Sequence, residues 1–183
     1  MAVALLVVDV QRELVAALEP ARRAEFLRTL SGLLARARAG NVPVVYVRHQ
    51  DTGLLAPGTD GWQIADEIAP RTTDPIVEKR YPDAFRDTDL AAVLDRLGAD
   101  RIVVCGMQTE FCIDATIREG ERRGYGVTLV GDGHATYPAD GFTEEQIRNH
   151  VHRVAREMIS IVAADDVFRE PVPAFAENEA HAR

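Results

Sequence analysis

Three side chains in this sequence have the types and placement for acyl transfer: Asp9, Lys79 and Cys112. Cys112 follows a β-branched apolar run, Ile102-Val103-Val104-Cys105, that Gly106 closes. Such a run reads as a buried strand, and from Phe111 the spacing turns helical. Thr109 is the expected N-cap and Gly124 the stop. The thiol thus falls in the first turn of a helix that follows a strand through a very short connection. A helix start presents unpaired N–H groups and partial positive charge, which favour a thiolate and lower its pKa by roughly one to several units. Two N–H groups of this turn can also cradle an oxyanion. Cys105, inside the strand, is expected to be a small, inert hydrophobe. Asp9 ends the apolar run AVALLVV, and Lys79 ends the run Pro75–Glu78. A carboxylate can take the thiol proton and return it to a leaving amine. A nearby ammonium holds that carboxylate ionised and favours the thiolate. The chemistry is acyl transfer from an amide, with no metal and no organic cofactor.

The elements that must position these groups are legible as alternating patterns. Strands are expected over 2–8, 42–47, 75–78, 102–105, 126–130 and 159–163. Between them lie helices over 20–39, 89–97, the Cys112 segment to Gly124, and Thr143 to about Glu157, the last with a capping-box start. This alternation implies a doubly wound, mostly parallel sheet. In such sheets ligands bind outside the carboxyl ends of the strands, where Asp9, Lys79 and Cys112 all stand. The same rule nominates Gln11, Trp62, Phe85, Glu110 and His134 as pocket-lining residues. Residues 52–74 read as a long loop with a short helical piece around Trp62–Ile68, of the kind usually tied to function. His49 and Asp51 have metal-ligand types, but no second His follows nearby and the set is incomplete.

The 183 residues are 46% hydrophobic and 27% charged, which suits one domain over 1–169 with a loose tail at 170–183. A net charge of −8 without a basic cluster argues against nucleic acid. With Glu110 beside Cys112, it suggests a neutral or cationic substrate. No apolar run is long enough to span a membrane, and no signal-peptide pattern opens the chain. Two cysteines, both readable as free thiols, fit a reducing, cytoplasmic setting. No phosphate-binding glycine motif occurs.

The sequences DVQ at Asp9–Gln11, EKRYPDAF around Lys79 and GMQTEFC ending in Cys112 resemble those of the isochorismatase-like cysteine hydrolases. That superfamily includes nicotinamidases, carbamoylsarcosine amidohydrolase and streptothricin hydrolase. The resemblance spans roughly residues 3–165 and implies a six-stranded, three-layer α/β/α sandwich with an Asp9–Lys79–Cys112 triad. It further implies a cis peptide at Met107–Gln108, oxyanion donors at the amides of Gln108 and Cys112, and a homodimer or larger assembly, to which Tyr137, Phe142 and Val151 offer apolar surface. The metal-binding Asp-x-His of nicotinamidases is replaced here by His49-Gln50-Asp51, so neither that metal nor nicotinamide is implied. A nucleophilic Cys distinguishes the chain from vinyl-ether-cleaving isochorismatases, which leaves a small amide, lactam or ureido compound as the expected substrate. Two alternatives remain: an ether hydrolase that uses Asp9 alone, and a non-catalytic protein whose Cys112 is redox-sensitive or whose pocket merely binds a ligand.

Overall fold

The structure, a computed structural model, describes residues 2–168; the tail expected at 170–183 lies outside them. β1 (Ala2–Val8) is apolar along almost its whole length because it is covered on both faces. Leu5 and Val7 pack beneath α2 (Pro20–Ala39), with Val15 of the short α1 (Arg12–Ala16) in the same cluster. Ala4, Leu6 and Val8 point the other way, into a cluster shared with α3 (Leu90–Arg96), α4 (Asp114–Arg122) and α5 (Glu144–Ala155). These two clusters make a three-layer α/β/α sandwich.

The six strands are all parallel, in the order β3-β2-β1-β4-β5-β6. β2 (Val44–His49) and β3 (Ile76–Lys79) lie on one side of β1. β4 (Ala99–Met107), β5 (Gly126–Ala135) and β6 (Ser160–Val162) lie on the other. The chain therefore reverses its direction of travel at the β1/β4 boundary, and a crevice at such a switch point is where open α/β sheets bind ligands. Local signals fix the helix starts: the Glu19 carboxylate accepts from the N–H groups of Ala21 and Arg22 ahead of α2, and Thr143 and Gln146 form the expected capping box of α5.

β4 and β5 both run beyond the apolar stretches that announced them. Gly106 is a stop signal by composition, yet it is paired within β4, opposite Val8 on one side and His134 on the other. Its φ of +128° and a virtual Cβ only 1.9 Å from the Val8 carbonyl oxygen explain the residue type. Only glycine lets the β4 backbone pass this close to the end of β1. The long loop holds one 3-10 turn, Asp66–Ile68, shorter than the helical piece expected from Trp62. It is tied to the end of β1 by a bridge between Gln11 and Ile64. None of the helices among the described residues is long and apolar enough to cross a membrane.

Candidate active site

Asp9 is the residue at which β1 stops. Its φ of +52° is a left-handed conformation that non-glycine residues adopt sparingly, and it turns the carboxylate into the sheet's carboxyl edge. Lys79 ends β3, two strands away, and its stem is buried. Its Nζ lies 2.6 Å from Asp9 Oδ2 and 3.2 Å from Cys112 Sγ. A carboxylate oxygen of Asp9 is within 4.8 Å of the same sulfur. Three residues distant in sequence thus converge on one point. Both Asp9 oxygens are buried without a hydrogen-bond partner among the described residues, and Oδ2 is held by its ion pair with Lys79.

Cys112 is not in the first turn of a regular helix. After the cis Met107–Gln108 peptide, residues Thr109–Ile113 form a wide, π-type turn, and α4 begins only at Asp114. The Gln108 carbonyl closes this turn by accepting from the N–H groups of Phe111 and Ile113, at 3.2 and 3.1 Å. Thr109 does not act as the expected N-cap. Its buried hydroxyl meets His134 Nδ1 at 2.8 Å instead, so it anchors the turn sideways to β5.

The electrostatics correct one expectation. Burial first, and the Asp9 carboxylate second, push the Cys112 thiol up to about 12, against the lowering effect of Lys79. Burial and Asp9 thus oppose the thiolate that Lys79 favours. Burial would lower the Lys79 ammonium, but the facing Asp9 and Cys112 outweigh it and hold the group above its ordinary value. Cys105 is fully buried in β4, pushed up by burial alone, with its sulfur 3.5 Å from the Leu6 carbonyl. Brief iodoacetamide treatment followed by mass spectrometry should label Cys112, which is partly exposed, and spare Cys105. Labelling confined to Cys105 would sink the nucleophile assignment.

The five expected pocket-lining residues divide. Gln11 is fully buried; its Nε2 donates to the carbonyls of His49 and Trp62 at 2.9 and 3.0 Å, and its Oε1 accepts from His49 N–H at 2.9 Å. It ties β1 to β2 and the loop. Phe85 is in the core, stacked on Tyr125 with centroids 5.6 Å apart. His134 is buried behind the π-type turn, its Nε2 2.8 Å from Nε2 of His152. Burial, with His152 next, lowers it to about 3, so the ring is neutral. Position along the carboxyl edge put all three near the site, but their contacts make them supports. Trp62 is half-buried, with the Arg48 guanidinium carbon 3.3 Å from its ring centroid. Glu110 does line a cavity. With Phe111, Phe142, Ile147 and His150 it borders a groove of about 480 Å³ beside the nucleophile turn. Phe142 is exposed there, whereas Val151 is buried and Tyr137 is half-buried with its hydroxyl bonded to the Leu14 carbonyl. Of the surface expected for assembly, only Phe142 is open.

Two further cavities lie at the ends of β2 and β3. One of about 430 Å³ is lined by His49, Gln50, Asp51, Thr52, Pro57 and Arg80, and one of about 270 Å³ by Gln50, Glu78, Lys79, Arg80, Tyr81 and Asp87. Sequence reasoning weighed His49 only as a metal ligand. Asp9, His49 and Cys112 do bring three donor atoms within 4.8 Å of one another, but the Lys79 ammonium sits among them, 3.2 Å from His49 Nδ1. A cation already occupies the centre of that donor set, so the residues do not fit a metal. Asp51 is turned away, its Oδ1 accepting from the N–H groups of Gly53 and Leu55.

A buried carboxylate and ammonium meet a partly exposed thiol at the switch point of a doubly wound α/β/α sandwich, and the comparisons with known proteins make the chain a hydrolase. Residues 3–160 match the Isochorismatase domain, and the chain belongs to that family. It is 39% identical over 137 residues to a streptothricin hydrolase of Streptomyces noursei, an alignment covering 73% of this chain and 50% of that protein. It is 30% identical over 150 residues to nicotinamidase 3 of Arabidopsis thaliana, covering 73% of each. The crystal structure of a cysteine hydrolase from Pseudomonas syringae superposes with a TM-score of 0.81 at 28% identity, covering 91% of both chains. The chain spans about half the length of the streptothricin hydrolases it matches.

Proposed function

We propose that this hydrolase is a cysteine amidohydrolase that cleaves the C–N bond of a small amide, lactam or ureido compound through a thioester. The observation that carries the reading is the single ammonium of Lys79 in contact with both Asp9 and Cys112. Asp9 takes the thiol proton as the sulfur attacks the carbonyl carbon, forming the C–S bond. The amides of Gln108 and Cys112 hold the oxyanion. Asp9 returns the proton to the leaving nitrogen and the C–N bond breaks. Water, deprotonated by Asp9, then attacks the thioester; the carboxylic acid leaves and the thiol is restored. The raised thiol suits this cycle, since its proton is then in the site for the leaving group. No step calls on a metal or an organic cofactor.

Relatives whose names specify amide substrates support this class, but they do not agree on one compound. The test is an ammonia-release screen over small primary amides and ureido compounds, with lactam ring opening followed as the gain of one water by mass spectrometry, and with Cys112→Ser as control. Release by the wild type and none by Cys112→Ser is expected. Full ammonia release by Cys112→Ala would remove the thiol from the reaction and overturn the thioester route.

A further inference from the structure

Among the described residues, His49 is the one side chain in contact with the Lys79 ammonium that the triad leaves without a role. Residues His49 and Lys79 are partners in the β2/β3 ladder, so their side chains leave the sheet side by side. The main chain of His49 is held at both its N–H and its carbonyl by the Gln11 side chain, which fixes where the ring starts. Its Nδ1 is 3.2 Å from Lys79 Nζ.

The count of protons makes this contact consequential. An ammonium has three N–H donors and no acceptor. Four acceptors surround Nζ: Asp9 Oδ2 at 2.6 Å, the Tyr81 carbonyl at 3.1 Å, Cys112 Sγ at 3.2 Å and His49 Nδ1 at 3.2 Å. The Asp9 carboxylate is the nearest neighbour of the ammonium and its anionic partner, an ion pair at 2.6 Å, and the Tyr81 carbonyl belongs to the main chain two residues on, so each of these draws a proton. The third proton is contested by the sulfur and the imidazole at equal distance. Lys79 can serve His49 only if Nδ1 carries a lone pair. Burial and the facing ammonium, against Asp9 and Asp51, keep the ring neutral and so allow it.

We propose that His49 is a positioning residue that shares the third proton of Lys79 with the Cys112 sulfur. The proposal rests on the amidohydrolase reading for its place in the cycle. As the sulfur gains charge during attack, the N–H turns to it. In the thioester the sulfur is a poor acceptor, and the N–H turns to His49 Nδ1, so Lys79 stays protonated, satisfied and aimed at Asp9 while Asp9 activates water. No covalent bond changes in this exchange; one hydrogen bond is traded for another. With Nδ1 accepting, the imidazole proton resides on Nε2. His49 is also a wall of the cavity of about 430 Å³, so a substrate lying there would meet a neutral ring.

The experiment uses the full chain and needs no substrate. The pH dependence of Cys112 alkylation by iodoacetamide is measured in wild type, His49→Leu and His49→Asn. Leu removes the competing acceptor, so the third N–H falls to the sulfur alone and the midpoint should drop by about 0.5 pH or more. The added apolarity of Leu acts in the opposite direction, so a drop can come only from the lost acceptor. Asn restores an acceptor near Nδ1 and should return the midpoint to the wild-type value. A residue that merely packs would give neither the drop nor the rescue. If His49→Leu does not fold, His49→Phe removes the acceptor while keeping a ring, and the same drop is expected. A midpoint at or above wild type in the folded apolar variant overturns the proposal, as does a drop that Asn does not reverse. Failure of the amidohydrolase reading looks different: the midpoints keep their order while no amide in the screen releases ammonia.

Discussion

Asp9→Asn is expected to lose turnover by about 10²–10⁴-fold while making Cys112 easier to ionise. The two effects follow from one carboxylate. Asp9 is the base that accepts the thiol proton and the acid that returns it, so an amide in its place leaves the leaving nitrogen without a donor. Yet the Asp9 charge also opposes the thiolate, being the second cause, after burial, of the raised thiol. Without it, Lys79 remains as the nearer charge and the alkylation midpoint should fall. The fold should survive, because Lys79 keeps the Tyr81 carbonyl, His49 Nδ1 and the sulfur as acceptors. The measurements are kcat on an amide found by the ammonia screen and the iodoacetamide midpoint. Retained kcat, or a midpoint that rises, would remove Asp9 from the proposed role.

The parts of this fold that were legible from residues alone are those where local pattern and burial agree. β1, α2 and the capping box of α5 fall where the apolar spacing, Pro20 and Thr143–Gln146 place them. The convergence of Asp9, Lys79 and Cys112 was legible because two of them end apolar runs and the third follows one through a short turn, and parallel strands bring such ends to one edge. What was not legible is what each side chain does once it arrives there. Gln11, Phe85 and His134 are all near that edge, but period-2 alternation along a strand does not say whether a polar atom meets a cavity or a backbone carbonyl. Gly106 misled for a related reason: glycine ends most strands, and only the approach of the Val8 carbonyl shows why this one continues.

The raised thiol was illegible for a different reason. A helix start lowers a thiol pKa through its N–H groups, but Cys112 lies in a π-type turn and is mostly enclosed, and it faces a carboxylate contributed by a strand 103 positions earlier. Long-range charge and burial outweigh the local dipole there. His49 was missed because its contact partner is set by the β2/β3 register, which sequence spacing does not fix.

Lys79→Ala should move the same two readouts apart in the other direction: turnover lost and the alkylation midpoint raised. Lys79 is the only group among the causes of the Cys112 shift that lowers it. Its removal leaves burial and Asp9 unopposed, and the thiolate becomes harder to form. Stability should fall as well. Asp9 and Lys79 are both buried and 2.6 Å apart, so the variant strands a carboxylate without its counter-ion, at a cost of about 3–5 kcal/mol. Circular dichroism at 25 °C must therefore show a folded variant before its kinetics are read. Lys79→Arg is the sharper arm. It keeps the charge and much of the stem, but a guanidinium spreads its donors over a planar fork, whereas the four acceptors here surround a single point. Arginine should therefore restore part of the stability and little of the turnover. An alkylation midpoint in folded Lys79→Ala that is unchanged or lowered would take the ammonium out of the site. Full turnover in Lys79→Arg would show that charge alone suffices, and that the geometry of the three N–H donors carries nothing.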